Sequence, residues 1–337
     1  MTSLPKISII IPLYNVEKYI IECLQSVARQ TYQGEIECII VDDCGTDMSV
    51  SITEQFIADY KGPINFVIVH HAENRGLSAA RNTGIDCSTG NYIYFLDSDD
   101  YISDDCIEVL TEPLKNREYD MVIGDYNIVG DDWGVPKLLL DNGVYLNNEN
   151  ILSYYVTGKI YMMAWNKLCS KNFIKRNNLL FPEGILHEDD YWSFNTFSKI
   201  NCIYVLPSTI KTYFYRIRNN GIMNNQNFTL KNRDGVKETL LLLADYMGGG
   251  IVSNEIHEWL NNRYLKLVVQ ISNANNASFY NIYKQLRDRY HYPLIKKVIN
   301  NEIKKRKFIM RLHYLLTPIL GYIYIKNICK YLGYESM

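Results

Sequence analysis

The first hundred residues alternate between two hydrophobic periodicities, and this alternation restricts the possible folds more than any other feature of the sequence. Runs rich in β-branched and aromatic residues predict four strands, at 7–11, 36–41, 64–69 and 92–96. Between these runs, apolar residues recur at the spacing of an amphipathic helix. Strands that alternate with such helices are typical of a parallel sheet with right-handed crossovers. We therefore predict an α/β fold with a Rossmann-like, mostly parallel central sheet flanked by helices.

The pattern is less regular after residue 100, although strands and helices are still indicated. Strands are predicted at 121–124, 203–206 and 212–215, and helices at 149–156 and 191–198. We interpret this part as the second half of the same domain, continuing the sheet. After about Gly221 the strand signals stop and helical patterns dominate. We therefore predict a domain over 1–220, with halves 1–100 and 101–220, and a helical C-terminal extension over 221–337.

Charge and cysteine content restrict the class of protein and its compartment. The net charge is −2 and no basic stripe is visible, so a nucleic-acid partner is not expected. The eight cysteines form no C-x-x-C pair and several lie in apolar runs, which favours buried free thiols in a reducing compartment. A strand follows directly after Lys6, so no secretory signal is expected. We therefore expect a cytoplasmic protein.

An acidic cluster, Asp97-Ser98-Asp99-Asp100, follows directly on the fourth predicted strand. The carboxyl ends of strands are where open α/β sheets bind ligands. Close carboxylates repel one another unless they share a cation, and Mg²⁺ and Mn²⁺ prefer oxygen ligands. A nucleotide diphosphate would supply further oxygens. The alternative is a solvated turn that starts the next helix, since Asp and Ser are common in both.

Two further polar segments follow the first and second predicted strands. Pro12 is expected to stop the ladder of the first strand, which leaves Tyr14 free to contact a base or ribose. Asp42 ends the second strand, where its carboxylate can accept a hydrogen bond from uracil N3–H or from a ribose hydroxyl. For Asp43 and Asp47, a turn and a helix cap are the favoured interpretation.

The segment 74–84 lies in the loop and helix before the acidic cluster. Its small residues allow a helix to pack closely on a sheet. The planar guanidinium of Arg81 is suited to a base or a phosphate. A surface arginine is the alternative for Arg75 or Arg81 taken singly.

These segments occur in a fixed order, and the ordered set resembles family 2 glycosyltransferases of the GT-A fold and bacterial polysaccharide type. The set comprises Ile9-Ile-Ile-Pro12-x-Tyr14-Asn15, Val41-Asp42-Asp43-x-Gly-Thr-Asp47, Asn74-x-Gly-Leu-Ser-x-Ala-Arg81-Asn82 and Asp97-x-Asp99. The resemblance implies that the chain binds a UDP-sugar, with Asp42 near uracil. It assigns the nucleotide site to Pro12, Tyr14, Asp42, Asn74, Arg81, Asp97 and Ser98. It also implies Mg²⁺ or Mn²⁺ held by Asp99, with Asp97 as its supporting ligand.

A second acidic segment, His187-Glu188-Asp189-Asp190, precedes a predicted helix. Acids are favoured at a helix N-terminus by the helix dipole, and a carboxylate here can also take a proton from an acceptor hydroxyl. The same family has a Glu-Asp motif whose aspartate is the usual base, and this maps onto Asp189. Glu188 and Asp190 remain alternatives. His187 is either a metal ligand or a structural residue.

Trp165 and the C-terminal tail each leave two interpretations open. Trp165 either stacks on an acceptor sugar or packs in the interior. The basic cluster 304–307 precedes an apolar segment, a pattern that fits an interfacial helix on an anionic membrane or a terminal helix packed on its own domain. The apolar run 308–325 is interrupted by polar residues, so a membrane span is not expected. By analogy with relatives that extend lipid-linked sugars, we favour peripheral contact with the cytoplasmic membrane face.

The sequence thus predicts an inverting, metal-dependent glycosyltransferase that moves a sugar from a UDP-sugar to a saccharide or lipid-linked saccharide in surface polysaccharide synthesis. A sugar-1-phosphate nucleotidyltransferase is one alternative, but it should carry a basic Gly-rich loop after the first strand, and 12–16 does not supply one. A catalytically inactive carbohydrate-binding protein on the same scaffold is the other. The acids at 97, 99 and 189 argue against it.

Overall fold

The fold is described from a computed structural model of the 337-residue chain. The structure describes residues 4–132, 134–185, 188–218, 241, 256, 258–263, 279–289, 308–309 and 311–331. Contacts divide the chain into two compact units, residues 1–184 with 188–224 and residues 185–187 with 225–337. The division into functional domains at residue 220 stays a proposal.

The first unit contains all the described strands and most of the described helices. The strands are β1 (Ile7–Leu13), β2 (Ile36–Asp42), β3 (Asn65–His70), β4 (Tyr92–Phe95), β5 (Tyr101–Ile102), β6 (Met121–Ile123), β7 (Asp125–Val129), β8 (Gly143–Leu146), β9 (Lys167–Ser170), β10 (Cys202–Val205) and β11 (Lys211–Arg216). The helices are α1 (Ile20–Ala28), α2 (Ser49–Asp59), α3 (Leu77–Cys87), α4 (Cys106–Thr111), α5 (Asn148–Val156), α6 (Lys171–Arg176) and α7 (Glu188–Phe197), with a 3-10 turn at Glu112–Lys115. The predicted α/β class is confirmed.

The central sheet has eight strands in the order β3-β2-β1-β4-β9-β6-β10-β8. The pairs β3-β2, β2-β1, β1-β4 and β6-β10 are parallel, whereas β9 runs antiparallel to both of its neighbours and β8 antiparallel to β10. Every residue of β1 and β2 is buried, as expected for parallel strands that are covered on both faces. The mostly parallel sheet predicted for the first hundred residues is therefore confirmed.

The prediction that 212–215 continues the central sheet is wrong. These residues belong to β11, which forms a separate three-stranded sheet in the order β5-β11-β7. The strand itself is visible in the local pattern, but its partners are a two-residue strand and a short strand that begins directly after Gly124. Because β5 starts at Tyr101, the small sheet begins immediately after the acidic cluster.

Pro12 does not end the first strand, and that prediction is also wrong. β1 continues to Leu13, and Pro12 lies opposite Val41 of β2. The N–H of Ile7 donates to Glu35 on the β2 side, whereas the carbonyl of Ile10 accepts from Leu96 on the β4 side. Successive residues of a strand direct their backbone N–H and C=O groups to opposite sides. The nitrogen of Pro12 therefore faces the β4 side, where β4 has already ended. Proline is tolerated here because the ladder needs no donor on that side.

The second unit is described only in part, and its described elements are helical. They include α8 (Phe279–Arg289), a 3-10 turn at Leu312–Leu315 and α9 (Pro318–Tyr331). Within this unit the buried guanidinium of Arg311 forms two 2.8 Å hydrogen bonds to the carboxylate of Glu258. Apolar residues are exposed on α9 and the preceding turn: Leu315, Ile319, Leu320 and Ile323. Within the described ranges, no helix is long and apolar enough to cross a membrane. The basic cluster 304–307 lies outside the described residues.

Helix α3 packs closely on β1, as its small residues predicted. A Cβ placed on Gly84 would lie 2.3 Å from Cγ2 of Ile10, and Ala79 and Ala80 are fully buried on the same helix. This close approach fixes the distance between the sheet and the helix that carries Arg81. The glycine at 84 is therefore required for packing.

We expect Gly84→Ala to lower the free energy of unfolding by about 1 to 3 kcal/mol, because overpacking at Ile10 outweighs the better helix propensity of alanine. Urea denaturation of the purified protein measures the change. Asp86→Ala, an exposed position on the same helix, is the control and is expected to stay within about 0.5 kcal/mol of wild type. A Gly84→Ala protein more stable than wild type would contradict this account.

Candidate active site

The acidic cluster lies at the carboxyl end of β4, and its acids sit in different environments. Asp97 and Asp99 are partly accessible, with side chains 25% and 17% exposed, whereas Asp100 is buried. The Asp100 carboxylate accepts hydrogen bonds from the hydroxyl of Tyr213 at 2.6 Å and from the backbone N–H of Arg216 at 2.7 Å. Burial, with the neighbouring carboxylates, raises the pKa of Asp100 well above its ordinary value. Asp100 thus joins the cluster to β11.

Arg81 is buried between two carboxylates from distant parts of the chain. Its guanidinium donates to Asp97 Oδ1 at 2.9 Å and to Glu188 Oε1 at 2.8 Å, and it lies 5.1 Å from the ring centre of Phe181. Burial alone would lower the pKa of Arg81, but the Asp97 and Glu188 carboxylates raise it above its ordinary value. Arg81 therefore joins the acidic cluster to the start of α7. A direct contact of this guanidinium with a phosphate or base would require one of these ion pairs to open.

Asp99 is paired with Arg218, which follows the last strand of the small sheet. Arg218 Nε lies 2.6 Å from Asp99 Oδ2. Burial raises the pKa of Asp99, Arg218 opposes this shift, and the nearby Asp97 carboxylate adds to it. The carboxylate oxygens of Asp97 and Asp99 are the accessible acidic atoms at this end of β4.

The carboxyl ends of β1 and β2 contribute the predicted nucleotide-site residues. Tyr14 is 48% exposed directly after β1. Asp42, at the end of β2, contacts Nδ1 of the half-exposed His70 at 3.0 Å and accepts from the N–H of Gly45 at 3.2 Å. Because β2, β1 and β4 are parallel neighbours, the sheet brings Tyr14 and Asp42 to the same edge as Asp97.

Asp43 shapes the loop before α3 rather than the local turn predicted for it, because its carboxylate contacts residues 32 and 33 positions further along the chain. Its carboxylate accepts from the backbone N–H groups of Arg75 at 2.8 Å and Gly76 at 2.7 Å. Gly76 has a φ of +88°, which glycine adopts without strain. The exposed Asn74 side chain donates to the Asp43 carbonyl at 3.1 Å. The other predicted nucleotide-site residues, Pro12 and Ser98, are buried, and their contact with a ligand stays a prediction.

The acids that begin α7 differ in accessibility. Glu188 and Asp190 are buried, and Glu188 is held by Arg81, whereas Asp189 is partly exposed. Burial and the Glu188 carboxylate raise the pKa of Asp189 to about 8, while Arg81 opposes the shift. Among these acids, Asp189 is therefore the accessible one, and its raised pKa makes it a stronger base than an ordinary aspartate. His187 lies outside the described residues.

Asn166 organises the site, although the sequence indicates no role for it. The Asn166 side chain accepts from Tyr94 at 3.1 Å and Thr212 at 2.8 Å and donates to the Asp125 carbonyl at 3.0 Å, which links the two sheets. Trp165 is buried and stacks on Tyr213 with ring centres 4.4 Å apart, so interior packing describes it. No local pattern reveals the Glu188 partner of Arg81, because the two residues are 107 positions apart.

Comparison with known proteins identifies the family. The family model described as Glycosyl transferase family 2 matches residues 8–171. The glycosyltransferase GlyG of Streptococcus pneumoniae is 31% identical over 65% of this chain and 73% of its own length. The chain belongs to glycosyl transferase family 2, and the predicted family is confirmed.

Two longer relatives match only through part of their length. The glycosyltransferase GlyA of Streptococcus pneumoniae is 30% identical over 96% of this chain, which spans 46% of GlyA. Staphylococcus aureus TarS, a poly(ribitol-phosphate) β-N-acetylglucosaminyltransferase, is 30% identical over 64% of this chain and 36% of its own length. A structure of TarS 1–349 with UDP-GlcNAc superposes with a TM-score of 0.73 at 20% identity, covering 97% of this chain and 92% of that one. The superposition confirms the GT-A fold predicted from the sequence.

We expect Arg81→Met to lower the free energy of unfolding by about 3 to 5 kcal/mol, because it leaves the Glu188 and Asp97 carboxylates without their cation. Adding Glu188→Gln to Arg81→Met removes one of these charges. The double variant is therefore expected to lose less stability than the sum of the single variants, as measured by urea denaturation in a double-mutant cycle.

Arg176→Met is the matched control, since Arg176 pairs with Asp120 at the surface with its side chain 60% exposed. It is expected to cost less than about 1 kcal/mol. Strictly additive effects of Arg81→Met and Glu188→Gln would show that the buried bridge contributes nothing of its own.

Proposed function

We propose that this chain is an inverting glycosyltransferase that moves a sugar from a UDP-sugar to a hydroxyl of a saccharide or lipid-linked saccharide in surface polysaccharide synthesis. The observation that carries the proposal is the buried Arg81 bridge, which ties the accessible acids at the end of β4 to the acid-led helix α7. Membership of the family supports sugar transfer. The TarS fold, solved with UDP-GlcNAc, supports a UDP-sugar as donor.

The residues at the end of β4 fit a hard divalent cation. Asp97 and Asp99 offer accessible carboxylate oxygens, and their mutual repulsion would be relieved by a positive ion. In the part of the chain that the structure describes, no group of three or more His, Cys, Asp or Glu side chains is arranged to hold a metal. Mg²⁺ and Mn²⁺ sites commonly use one or two carboxylates together with substrate phosphates. When bound, such an ion would neutralise negative charge on the departing UDP.

Residues at the carboxyl ends of β1 and β2 would hold the nucleoside. The Asp42 carboxylate, oriented by His70 and Gly45, would accept from uracil N3–H or a ribose hydroxyl, and the exposed Tyr14 would contact the base or ribose. Asn74, Ser98 and Pro12 would complete the nucleotide site. Arg81 would act as a positioning residue, because its guanidinium already binds two carboxylates.

Asp189 would act as general base. Its carboxylate would take the proton of the acceptor hydroxyl, whose oxygen attacks the anomeric carbon on the face opposite UDP. The new bond joins this carbon to the acceptor oxygen, and the bond to the diphosphate oxygen breaks with its electron pair leaving on UDP. One displacement inverts the anomeric centre, so no covalent intermediate on the enzyme is required. The accessibility of Asp189, compared with the buried Glu188 and Asp190, supports this choice.

A cytoplasmic location and peripheral contact with the cytoplasmic membrane face are further parts of the proposal. The exposed apolar residues on α9 and the turn before it, together with the basic residues at 304–307 in the sequence, support a membrane surface as partner. A lipid-linked saccharide acceptor would be presented at such a surface.

We expect Asp99→Asn and Asp189→Asn each to reduce sugar transfer by roughly two or more orders of magnitude while the fold is retained. A donor screen that measures UDP or GDP release, with and without EDTA, gives the nucleotide, the metal requirement and the activity together. Asp104→Asn is the control, because Asp104 pairs with Arg29 on the surface. Near-normal turnover in both site variants would refute the proposed roles.

The raised pKa of Asp189 gives a pH test. A base must be ionised to accept a proton, so kcat/KM should rise with pH through a pKa of about 8. Glu188→Gln removes the neighbouring charge that helps to raise this pKa, so the rising limb should move to lower pH. The control Glu112→Gln alters a surface residue paired with Lys115 and should leave the limb in place. A limb that stays fixed or moves to higher pH in Glu188→Gln would exclude Asp189 as the titrating group.

A further inference from the structure

We propose that Arg218 occupies the cation position on Asp99 in the metal-free protein, and that a divalent ion must displace the Arg218 guanidinium to bind there. Arg218 would then be an internal competitor of the metal and would set its affinity. This inference rests on the proposed function, because it takes Asp99 to be the metal ligand. It goes further by assigning a role to a residue outside the acidic cluster.

Arg218 contacts Asp99 directly. Arg218 Nε lies 2.6 Å from Asp99 Oδ2, which makes this a close ion pair. Burial and the nearby Asp97 carboxylate raise the pKa of Asp99, and Arg218 opposes this shift more strongly than Arg216 does. The guanidinium therefore supplies the positive charge that the cluster needs when no metal is bound.

Arg218 and Arg81 differ in how far they are buried. The Arg81 side chain is only 2% exposed and is held by Asp97 and Glu188 together, so it is a fixed part of the interior. The Arg218 side chain is 23% exposed and that of Asp99 is 17% exposed, so solvent reaches both partners of this ion pair. Of these arginine–aspartate pairs, the Arg218 pair is the one that an incoming ion can open.

Arg218 has a second contact besides Asp99. Its guanidinium lies 5.4 Å from the ring centre of Tyr19, within the range of a cation–π contact. The ladder of the small sheet reaches Ile217, whose N–H donates to the Val129 carbonyl at 3.0 Å, and Arg218 follows this last residue of the ladder. The Tyr19 ring thus gives the guanidinium a contact that does not involve Asp99.

A guanidinium and a divalent ion cannot share one carboxylate without strong repulsion between the two cations. The metal alone must therefore displace Arg218 without help. A nucleotide diphosphate brings negative charge to the same place and favours the exchange. Arg218 would thus suppress metal binding in the absence of the donor and permit it when the donor is present.

The test is a titration of the full-length, metal-free protein with MnCl₂, in which free Mn²⁺ is measured by its electron paramagnetic resonance signal. Arg218→Met is expected to bind Mn²⁺ about 3- to 10-fold more tightly than wild type in the absence of nucleotide. Arg218→Lys keeps the charge but loses the planar guanidinium, and its Mn²⁺ affinity should fall between the two. Asp99→Asn should lose the binding, and a wild-type thermal transition confirms that each variant is folded.

Arg216→Met is the control for the loss of one positive charge close to the same acids. The Arg216 side chain pairs with Glu22 and lies over Tyr19 and Tyr101, so its removal leaves the Asp99 ion pair in place. A smaller gain than that of Arg218→Met is expected. An Arg218→Met affinity equal to that of wild type, or to that of Arg216→Met, would refute the displacement.

A second titration in the presence of UDP separates this inference from the proposed function. If wild type binds Mn²⁺ with UDP but Arg218→Met shows no gain without it, Arg218 is not a competitor and the proposed metal site stands. If neither protein binds Mn²⁺ with or without UDP, the proposed metal site is refuted. The proposed competition between Arg218 and the metal is then refuted as well.

Discussion

The buried ion bridge of Arg81 is the interaction on which the rest of the site depends. A guanidinium cannot be removed from water unless anions and hydrogen-bond acceptors replace its hydration. Asp97 and Glu188 do so at 2.9 and 2.8 Å. The position of α3 against β1, fixed by the contact of Gly84 with Ile10, determines where this cation lies. One buried charge therefore holds together a helix, a strand end and the start of another helix.

The repulsion among the acids after β4 is relieved in a different way for each residue. Asp97 has a fixed cation in Arg81, Asp100 has the hydroxyl of Tyr213 and a backbone N–H, and Asp99 has the partly exposed Arg218. Of the two arginine partners, Arg81 is closed off from solvent, while Arg218 is partly exposed. The cation that an incoming ion would displace, Arg218, therefore lies next to solvent, where a ligand arrives. The cation that holds the elements together, Arg81, lies in the interior.

The sequence predicted the nucleotide half well because its signals are local. Strands and helices up to residue 96 follow from hydrophobic periodicity, and the order of the motifs places Asp42 and Asp97 at one edge of the sheet. The errors all concern long-range pairing. Pro12 remains in β1 because β4 has already ended beside it, and β11 pairs with β5 and β7 away from the central sheet. Likewise, no spacing rule relates Arg81 to Glu188, since only the folded chain brings them together.

Three adjacent acids at the start of α7 are equivalent in the sequence, and burial makes them different. Glu188 is used to hold Arg81, and Asp190 is buried, so Asp189 alone of the three keeps an accessible carboxylate. The Glu188 charge that stabilises Arg81 also raises the pKa of Asp189, which makes Asp189 a stronger base. Burial is the largest cause of the raised pKa of Asp189, and the bridge that fixes the cluster after β4 adjusts it through Glu188 and Arg81. The proposed metal site after β4 and the proposed base Asp189 are therefore coupled through Arg81.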